Sequence, residues 1–247
     1  TPKGRSMIGL SYKKLTPSTL SQTIESVLFQ TYNNIEYIIV DGLSSDRTVE
    51  IAKSYSEAFK LRNIRYTIVS EKDRGMYDAL NKGIKLSSGV IVGSINSDDW
   101  YELDTVEKVV KKYLETHFDM LYGDMNVIMP SGNMIKKARL RKYHSTRDWN
   151  HPTTFITRCT YEQFQYKLES LYDDFDLYTR IKQAGLKIVV LNEVLANFRF
   201  GGMSTQKSIR DVITRIKARY RIYRNNGYSR LYLIECVLME LVKYILS

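Results

Sequence analysis

Two adjacent carboxylates, Asp98 and Asp99, lie in the stretch INSDDWY at 95–101, which directly follows a run of small and apolar residues at 90–94 that predicts a buried strand. Two negative charges at that position need a cationic partner. A divalent metal with bound phosphates is a suitable one, because Mg²⁺ takes one or two protein carboxylates and completes its coordination with substrate oxygens. The alternative is a surface turn in which Asp99 caps the helix that starts near Glu102.

Strand and helix signals alternate along the first half of the chain. The hydrophobic patterns predict strands at 7–11, 35–40, 64–70 and 90–94, and helices at 19–30, 48–59 and 76–86. This succession predicts the α/β class, with a doubly wound, mostly parallel sheet flanked by helices. Ligands bind outside the carboxyl ends of the strands in such sheets, so Asp98 and Asp99 lie where a ligand is expected.

The turn after the first strand carries neither of the common phosphate-binding loops. A dinucleotide-binding unit would read G-x-G-x-x-G there, and a nucleoside-triphosphate loop would end in Gly-Lys-Ser or Gly-Lys-Thr. Residues 9–14 read GLSYKK instead. A metal at Asp99, Mn²⁺ or Mg²⁺, would therefore have to hold the phosphates of a nucleotide ligand.

The composition is that of a globular protein with an anionic partner. The 247 residues are 43% hydrophobic and 26% charged, and the formal net charge is +10. This charge favours a nucleotide, a nucleic acid or an anionic membrane surface as the ligand. The two cysteines, Cys159 and Cys236, lie far apart without metal-ligand spacing, which predicts a reducing, cytoplasmic location and no disulfide framework.

Six sequence blocks follow one another in a distinctive order. They are SVLFQTYNNIEYIIVDGLSSD at 26–46, SEKDRGMYDALNKG at 70–83, NSDD at 96–99, HPTTF at 151–155, DDFDL at 173–177 and FGGMS at 200–204. Between about residue 6 and residue 204 the chain resembles the family 2 glycosyltransferases, which have the nucleotide-sugar-binding GT-A fold. The resemblance implies inverting transfer of a sugar from a nucleoside diphosphate donor.

For the nucleotide, the resemblance implies a set of contacts at the strand ends. Asp41 occupies the position that contacts the base, and a carboxylate that accepts a hydrogen bond from the uracil imide suits UDP. Its alternative role is to cap the loop that follows it. Residues 97–99 stand in the place of the metal-binding D-x-D element. Asp99 is then the metal ligand, Asp98 is directed at the ribose or orients the loop, and Ser97 replaces the first carboxylate.

Three further residues complete the implied donor site. Ser11 ends the first strand, where the family usually continues with a Thr-x-Tyr-Asn sequence that this chain lacks. Arg74, together with Lys72, could neutralise the diphosphate, and Asp73 would position the sugar or the arginine. A solvated charged turn is the alternative for this segment.

Catalysis requires a base that takes a proton from the acceptor hydroxyl as the hydroxyl attacks the anomeric carbon. Asp174 matches the family's base position, immediately before a helix predicted at 177–184. Asp173 and Asp176 are its neighbours, and Asp176 could contact the acceptor or diphosphate or simply stabilise the helix N-terminus. His151 could also reach the diphosphate or acceptor, or serve as a structural hydrogen-bond donor.

The end of the chain predicts two amphipathic helices. Basic and apolar residues interleave from 207 to 230, a pattern that suits an anionic bilayer surface. In the second helix, apolar residues recur at spacings of three and four, in a run too short and too charged to cross a membrane. The helices could lie at a membrane interface, form a dimer or pack on the catalytic domain. The apolar residues of the second helix are Leu231, Ile234, Leu238, Leu241 and Ile245.

Together these features predict a catalytic domain at 1–204, with a donor half to about residue 100 and an acceptor half at 101–204, followed by a helical extension at 205–247. The expected activity is hexosyl or N-acetylhexosaminyl transfer to a glycan. The acceptor could be lipid-linked, at the inner membrane face, in cell-surface polysaccharide synthesis. A sugar-1-phosphate nucleotidyltransferase is an alternative, but it would carry a Gly- and Arg-rich loop that residues 11–16 lack. A basic nucleic-acid-binding module is the other, although the basic residues cluster in the tail.

Overall fold

The structure is a computed structural model that describes the backbone of residues 7–11, 17–201 and 208–246, and the side chains of residues 19–201 and 208–242. Its strands are β1 (Met7–Ser11), β2 (Glu36–Asp41), β3 (Arg65–Ser70), β4 (Ile91–Asn96), β5 (Trp100–Tyr101), β6 (Met120–Met129), β7 (Gly132–Lys136), β8 (Phe155–Thr157) and β9 (Ile188–Arg199). Its helices are α1 (Pro17–Leu28), α2 (Thr48–Ser54), α3 (Ser56–Leu61), α4 (Met76–Leu86), α5 (Thr105–Thr116), α6 (Arg158–Gln163), α7 (Asp173–Gln183), α8 (Ile209–Asn225) and α9 (Tyr232–Leu246).

The described strands form one sheet in the order β3-β2-β1-β4-β8-β6-β9-β5, with β7 paired to β6. The first four strands of that order are parallel, and β8 is antiparallel to both of its neighbours. Because β6 and β9 run in the direction of the first four, six of the nine described strands point the same way. The predicted α/β class with a mostly parallel sheet is therefore confirmed.

Alternate residues of β2 belong to different hydrophobic clusters, which shows that both faces of the sheet are covered. Ile38 and Val40 pack in one cluster with α4 and α7, whereas Tyr37 and Ile39 pack in the other with α1 and α3. The doubly wound arrangement follows from this burial. The helix predicted at 48–59 is divided into α2 and α3 at Tyr55.

Strand register brings the predicted donor residues to one edge. Ser11 of β1 lies beside Asp41 of β2, and Asp41 lies beside Ser70 of β3. On the other side of β1, Leu10 pairs with Asn96. The carboxyl ends of four parallel strands therefore meet there, and the loops that follow them can converge on one ligand.

The helical extension shares its core with the sheet domain. Tyr223 of α8 and Cys236 of α9 are fully buried in the cluster that contains Phe175 of α7. The two helices run antiparallel, because Arg219 contacts Glu240 while Tyr223 contacts Glu235. Within the described ranges, every helix is too short or too polar to traverse a lipid bilayer.

Candidate active site

Asp41 is fully buried at the end of β2, and both oxygens of its carboxylate accept hydrogen bonds. The backbone N–H and the hydroxyl of Ser44 donate to it, and Ser70 Oγ donates to Oδ2 over 2.6 Å. Asp41 therefore holds the loops after β2 and β3 together. This arrangement matches the loop-capping role, and a base contact would have to share these oxygens.

Asp73 approaches the same edge from the loop after β3. Its Oδ1 accepts a 2.9 Å hydrogen bond from the Gly75 N–H, whereas its buried Oδ2 has no hydrogen-bond partner among the described residues. A buried carboxylate oxygen without a partner is costly, and a ligand hydroxyl would relieve that cost. A Cβ atom on Gly42 would lie 2.4 Å from this oxygen, so only glycine at 42 admits the side chain.

The turn at 72–75 is held by its own charges. Gly75 has φ +121°, a backbone conformation that favours glycine, and it precedes α4. Arg74 is exposed and contacts Asp78 over 3.1 Å, and the backbone oxygen of Lys72 accepts from Lys82. Arg74 and Lys72 are thus exposed in the loop after β3, and their contact with a diphosphate stays a prediction.

The loop after β4 separates its two carboxylates. Asp99 is fully buried, and its Oδ1 accepts a 3.0 Å hydrogen bond from the backbone N–H of Arg199 at the end of β9. Its carbonyl accepts from Thr23 Oγ1 over 2.6 Å. Asp98 is half-buried, and Ser97 is buried. These bonds give Asp99 a structural role, its metal contact stays a prediction, and Asp98 is the carboxylate of the pair with exposed surface.

No group of three His, Cys, Asp or Glu side chains in the described part of the chain forms a site that could hold a metal by itself. A site with one protein carboxylate still fits Mg²⁺ or Mn²⁺, because these ions are often held by one or two carboxylates plus substrate phosphates. The partly exposed Asp98, at the carboxyl edge of the sheet, meets that description.

The three carboxylates at the start of α7 differ in their hydrogen-bond and ion-pair partners. Asp173 accepts two 2.8 Å hydrogen bonds from the backbone N–H groups of Glu169 and Ser170, so it caps the preceding loop. Asp176 is buried and pairs with Arg180 over 2.7 Å. It also accepts a 2.9 Å hydrogen bond from Asn226 Nδ2, which ties α7 to the extension.

The ionisation of Asp176 is consistent with this structural role. Burial raises the pKa of Asp176, but the hydrogen bonds from Asn226 and Arg180 outweigh burial and lower the pKa below its ordinary value. The acceptor or diphosphate contact predicted for Asp176 would therefore compete with three partners, the third being Lys167 at 3.2 Å.

Asp174 is half-buried, and its Oδ1 accepts a 2.8 Å hydrogen bond from the adjacent N–H of Phe175. The Tyr77 hydroxyl also lies within hydrogen-bonding reach of this carboxylate. Asp174 lies in the first turn of α7, not before the helix as predicted, because the helix begins at Asp173. Its carboxylate is close enough to act electrostatically on His151 and Tyr77. Among the described α7 carboxylates, Asp174 is the one that neither caps the 169–170 loop, as Asp173 does, nor pairs with a cation, as Asp176 does.

His151 begins the 3₁₀ turn His151–Thr153 that leads into β8. Its buried Nε2 has no hydrogen-bond partner among the described residues. Burial lowers the pKa of His151, and the negative charge of Asp174 opposes this only in part. The imidazole is therefore neutral near pH 7, with one ring nitrogen available to a ligand.

Helix α4 connects the donor edge to the segment that carries Asp174, a connection that sequence analysis missed. Asn81 Nδ2 donates to the Tyr166 carbonyl over 2.9 Å, and Asn81 Oδ1 accepts from the Tyr166 N–H. Tyr77 stacks on the Tyr166 ring and donates to the carbonyl of Leu171 over 3.0 Å. The i, i+4 spacing of Tyr77 and Asn81 is the sequence signal that places them on one face of α4.

A sequence model described as "Glycosyl transferase family 2" matches residues 8–175. The chain belongs to this family. Family membership favours the glycosyltransferase prediction over the nucleotidyltransferase and nucleic-acid-binding alternatives. The matched region contains the predicted donor-side residues and extends to the first turn of α7.

Similar proteins support the family and the fold. This family 2 glycosyltransferase is 25% identical over 235 residues to glycosyltransferase GlyA of Streptococcus pneumoniae serotype 4, covering 85% of this chain and 33% of GlyA. The chain spans less than half the length of the curated relatives that it matches.

Two solved structures show the same architecture. S. aureus TarS 1-349 in complex with UDP-GlcNAc aligns with a TM-score of 0.66 at 14% identity, over 98% of this chain and 72% of that one. The mannosyltransferase PcManGT from Pyrobaculum calidifontis, in complex with GDP-Man and Mn²⁺, aligns with a TM-score of 0.67 at 14% identity, over 98% and 74%. The predicted GT-A fold is confirmed.

Proposed function

We propose that this family 2 glycosyltransferase transfers a hexosyl or N-acetylhexosaminyl group from a nucleoside diphosphate sugar to a glycan hydroxyl, with inversion at the anomeric carbon. The observation that carries this proposal is the distribution of carboxylates around the cleft. Asp98 is partly exposed at the carboxyl edge of the sheet, and Asp174, in the first turn of α7, has no cationic partner among the described side chains. One can serve the donor and the other the acceptor.

The chemistry requires one proton transfer and one bond exchange at the anomeric carbon. The acceptor oxygen forms a bond to this carbon while the bond from the carbon to the diphosphate oxygen breaks. Asp174 accepts the proton of the attacking hydroxyl, which makes it the general base. The neutral His151 can hydrogen-bond the acceptor or the diphosphate without bringing a charge to the base.

On the donor side, Asp73 Oδ2 offers an acceptor for a sugar or ribose hydroxyl, and the exposed Arg74 and Lys72 would contact the diphosphate. UDP is the proposed nucleotide because the resemblance of the sequence assigns Asp41, next to Ser11 in the sheet, to the base contact, where its carboxylate would accept from a uracil imide in place of one of its present donors. Asp98 would hold Mn²⁺ or Mg²⁺ together with the phosphates, and Ser97 would support this loop. The ion would stabilise the charge that develops on the leaving diphosphate.

We further propose a lipid-linked glycan acceptor and a role in cell-surface polysaccharide synthesis at the cytoplasmic side of the membrane. The resemblance of the sequence blocks and the basic extension support this proposal. The proposed donor contacts do not depend on the choice of acceptor, because every residue named for the donor lies before residue 100.

A donor screen tests the proposal directly. The protein is mixed with UDP, GDP and dTDP sugars, an acceptor glycan and Mn²⁺, and release of the nucleoside diphosphate is measured. Acceptor-dependent release from a UDP sugar is expected, with an inverted linkage by NMR. A product that keeps the donor's anomeric configuration would refute the single displacement, and acceptor-dependent release from other nucleotides alone would refute the UDP assignment.

A further inference from the structure

Helix α9 turns its apolar side chains to solvent. Leu231, just before the helix, is 72% exposed, and three residues at helical spacing continue its stripe. These are Ile234, Leu238 and Leu241, with exposed fractions of 59%, 55% and 54%. Leu233 and Val237 widen the same face. We name this set of six residues the outer face of α9, and it is an apolar patch of the kind that marks an interaction site.

The carboxylates of α9 point the other way, toward the protein. Glu240 is buried, and it pairs with Arg215 over 2.7 Å and with Arg219 over 2.5 Å. Glu235 accepts hydrogen bonds from Ser145 Oγ and from the Tyr223 hydroxyl. A helix that merely covered a globular core would bury its leucines and expose its glutamates. In α9 this order is reversed, so packing within the monomer does not account for the outer face.

The exposed charges of the helical extension indicate that its partner is anionic. Over residues 208–242, every charged side chain that is exposed is a cation, whereas Asp211 and Glu235 are half-buried. The exposed cations belong to Arg210, Lys217, Arg221, Arg224 and Arg230. Arg230 lies directly before Leu231, so a cation and the outer face adjoin. Apolar residues flanked by cations are the combination that binds the interface of an anionic bilayer.

We propose that the outer face of α9 lies in the interface of an anionic phospholipid membrane, with the cations of α8 and the α8–α9 turn contacting the headgroups. A second copy of the chain would fit less well, because the exposed charged side chains of residues 208–242 are all cations, so a symmetric contact of the extension would offer them no exposed anion. The inference goes beyond the proposed function, since it needs neither the donor nor the base. It places a glycosyltransferase at a surface where a lipid-linked acceptor would be presented.

Co-sedimentation of the full 247-residue chain with vesicles tests this inference. We expect binding to vesicles of equal parts phosphatidylglycerol and phosphatidylcholine, weak binding to pure phosphatidylcholine, and loss of binding at high salt. The double variant Ile234→Glu/Leu238→Glu should lower the partition coefficient by at least about tenfold. Its matched control is Leu61→Glu/Leu103→Glu, which adds the same charge at exposed leucines outside the extension and should bind at least ten times better than the α9 variant.

Removal of cations gives a second test that leaves the apolar face intact. Arg221→Gln/Arg230→Gln should weaken binding to anionic vesicles by about fivefold per cation. Arg47→Gln/Lys60→Gln removes two exposed cations far from the extension and should have little effect. Circular dichroism confirms that each variant is folded.

Three results would overturn the inference. One is the absence of vesicle binding by the wild-type chain, and another is equal binding to neutral and anionic vesicles. The third is a lipid-free dimer that Ile234→Glu/Leu238→Glu converts to monomer, because a second copy would then cover the outer face.

Discussion

The backbone N–H of Arg199 donates a 3.0 Å hydrogen bond to Oδ1 of Asp99, across one hundred positions of sequence. The bond joins the loop after β4 to the last residue of β9, and Arg199 Nε adds a contact to the Asp98 carbonyl. The two adjacent aspartates therefore differ in their contacts and in their exposure. Asp99 anchors the loop, and Asp98 keeps exposed surface at the carboxyl edge of the sheet.

Substitution of these two residues should separate stability from activity. Asp98→Asn should lower kcat by about 100-fold with excess Mn²⁺, because a carboxylate that would hold the ion is lost, while the melting temperature stays near that of the wild type. Asp99→Ala should reduce the free energy of unfolding by about 1–3 kcal/mol, because the Arg199 N–H loses its partner. Activity assays with a metal titration and urea unfolding measure both. A stable but inactive Asp99→Asn variant beside a fully active Asp98→Asn variant would restore Asp99 as the ligand.

Asp174→Asn should lower kcat by about 10²–10⁴-fold and leave the Kd for UDP within twofold, because the base faces the acceptor and not the nucleotide. Steady-state kinetics and calorimetric titration with UDP give the two quantities. Asp173→Asn is the matched control, and it should lose stability because Asp173 caps the 169–170 loop. Normal turnover by Asp174→Asn would show that Asp174 is not the general base.

Gly42→Ala should weaken nucleotide-sugar binding, because the new methyl group would overlap Oδ2 of Asp73, which lies 2.4 Å from the Cβ position. Fluorescence titration with the donor measures the change in Kd. In an Asp73→Ala background the same substitution should have little further effect, since the overlapping atom is gone. Additive effects in this double-mutant cycle would show that the two positions act separately.

Stability should fall as the pH is lowered, and His144 should account for a defined part of the fall. Burial, followed by the charge of Lys182, lowers the pKa of His144 to about 3. Between about pH 6.5 and pH 3 the unfolded chain binds a proton that the folded protein does not, so unfolding becomes easier by about 1.4 kcal/mol per pH unit. His144→Gln can keep the 2.7 Å contact to Thr179 while removing this titration. Urea unfolding at pH 6 and pH 5 should therefore show a shallower slope for the variant, and equal slopes would contradict the assignment.

Glu240→Gln should destabilise the protein by about 3–5 kcal/mol, because it leaves the buried Arg215 and Arg219 without their shared carboxylate. Chemical unfolding followed by fluorescence measures the change. Glu235→Gln keeps hydrogen-bonding capacity toward Tyr223 and should cost about 1 kcal/mol. Similar losses of unfolding free energy in the two variants would contradict the larger contribution expected from the ion pairs of Glu240 with Arg215 and Arg219.

The donor half of the fold could be predicted because its strands are continuous apolar runs that end in polar loops. Strand β1 and helix α4 have the predicted bounds, β2 is shifted by one residue at each end, and β3 begins one residue later than predicted. Strands β5 and β8 contain only two and three residues, too few for a periodic pattern. Their positions depend on pairing with distant strands, which local sequence does not encode.

The site shows the same limit at the level of single residues. Positions 98 and 99 are both aspartate, so the sequence alone does not show which of them is buried. Asp99 is the buried one, and its carboxylate accepts a hydrogen bond from the backbone N–H of Arg199, which is distant in sequence. Asp174 was separated from Asp173 and Asp176 by resemblance, and only the structure shows that its neighbours are engaged by a loop and by cations. The leucine spacing of α9 predicted an amphipathic helix, but its orientation depends on the arginine pair beneath it.

Strand β8 runs against β4, with Phe155 beside Gly93 and Thr157 beside Ile91. Its beginning, and the turn with His151 before it, therefore arrive at the edge where β4 ends. Strand β8 is attached by three residue pairs to β4 and two to β6. Under the proposed function, exchange of residues in the turn before it would alter the acceptor contacts, while strands β1 to β4 and the nucleotide contacts at their ends would stay unchanged.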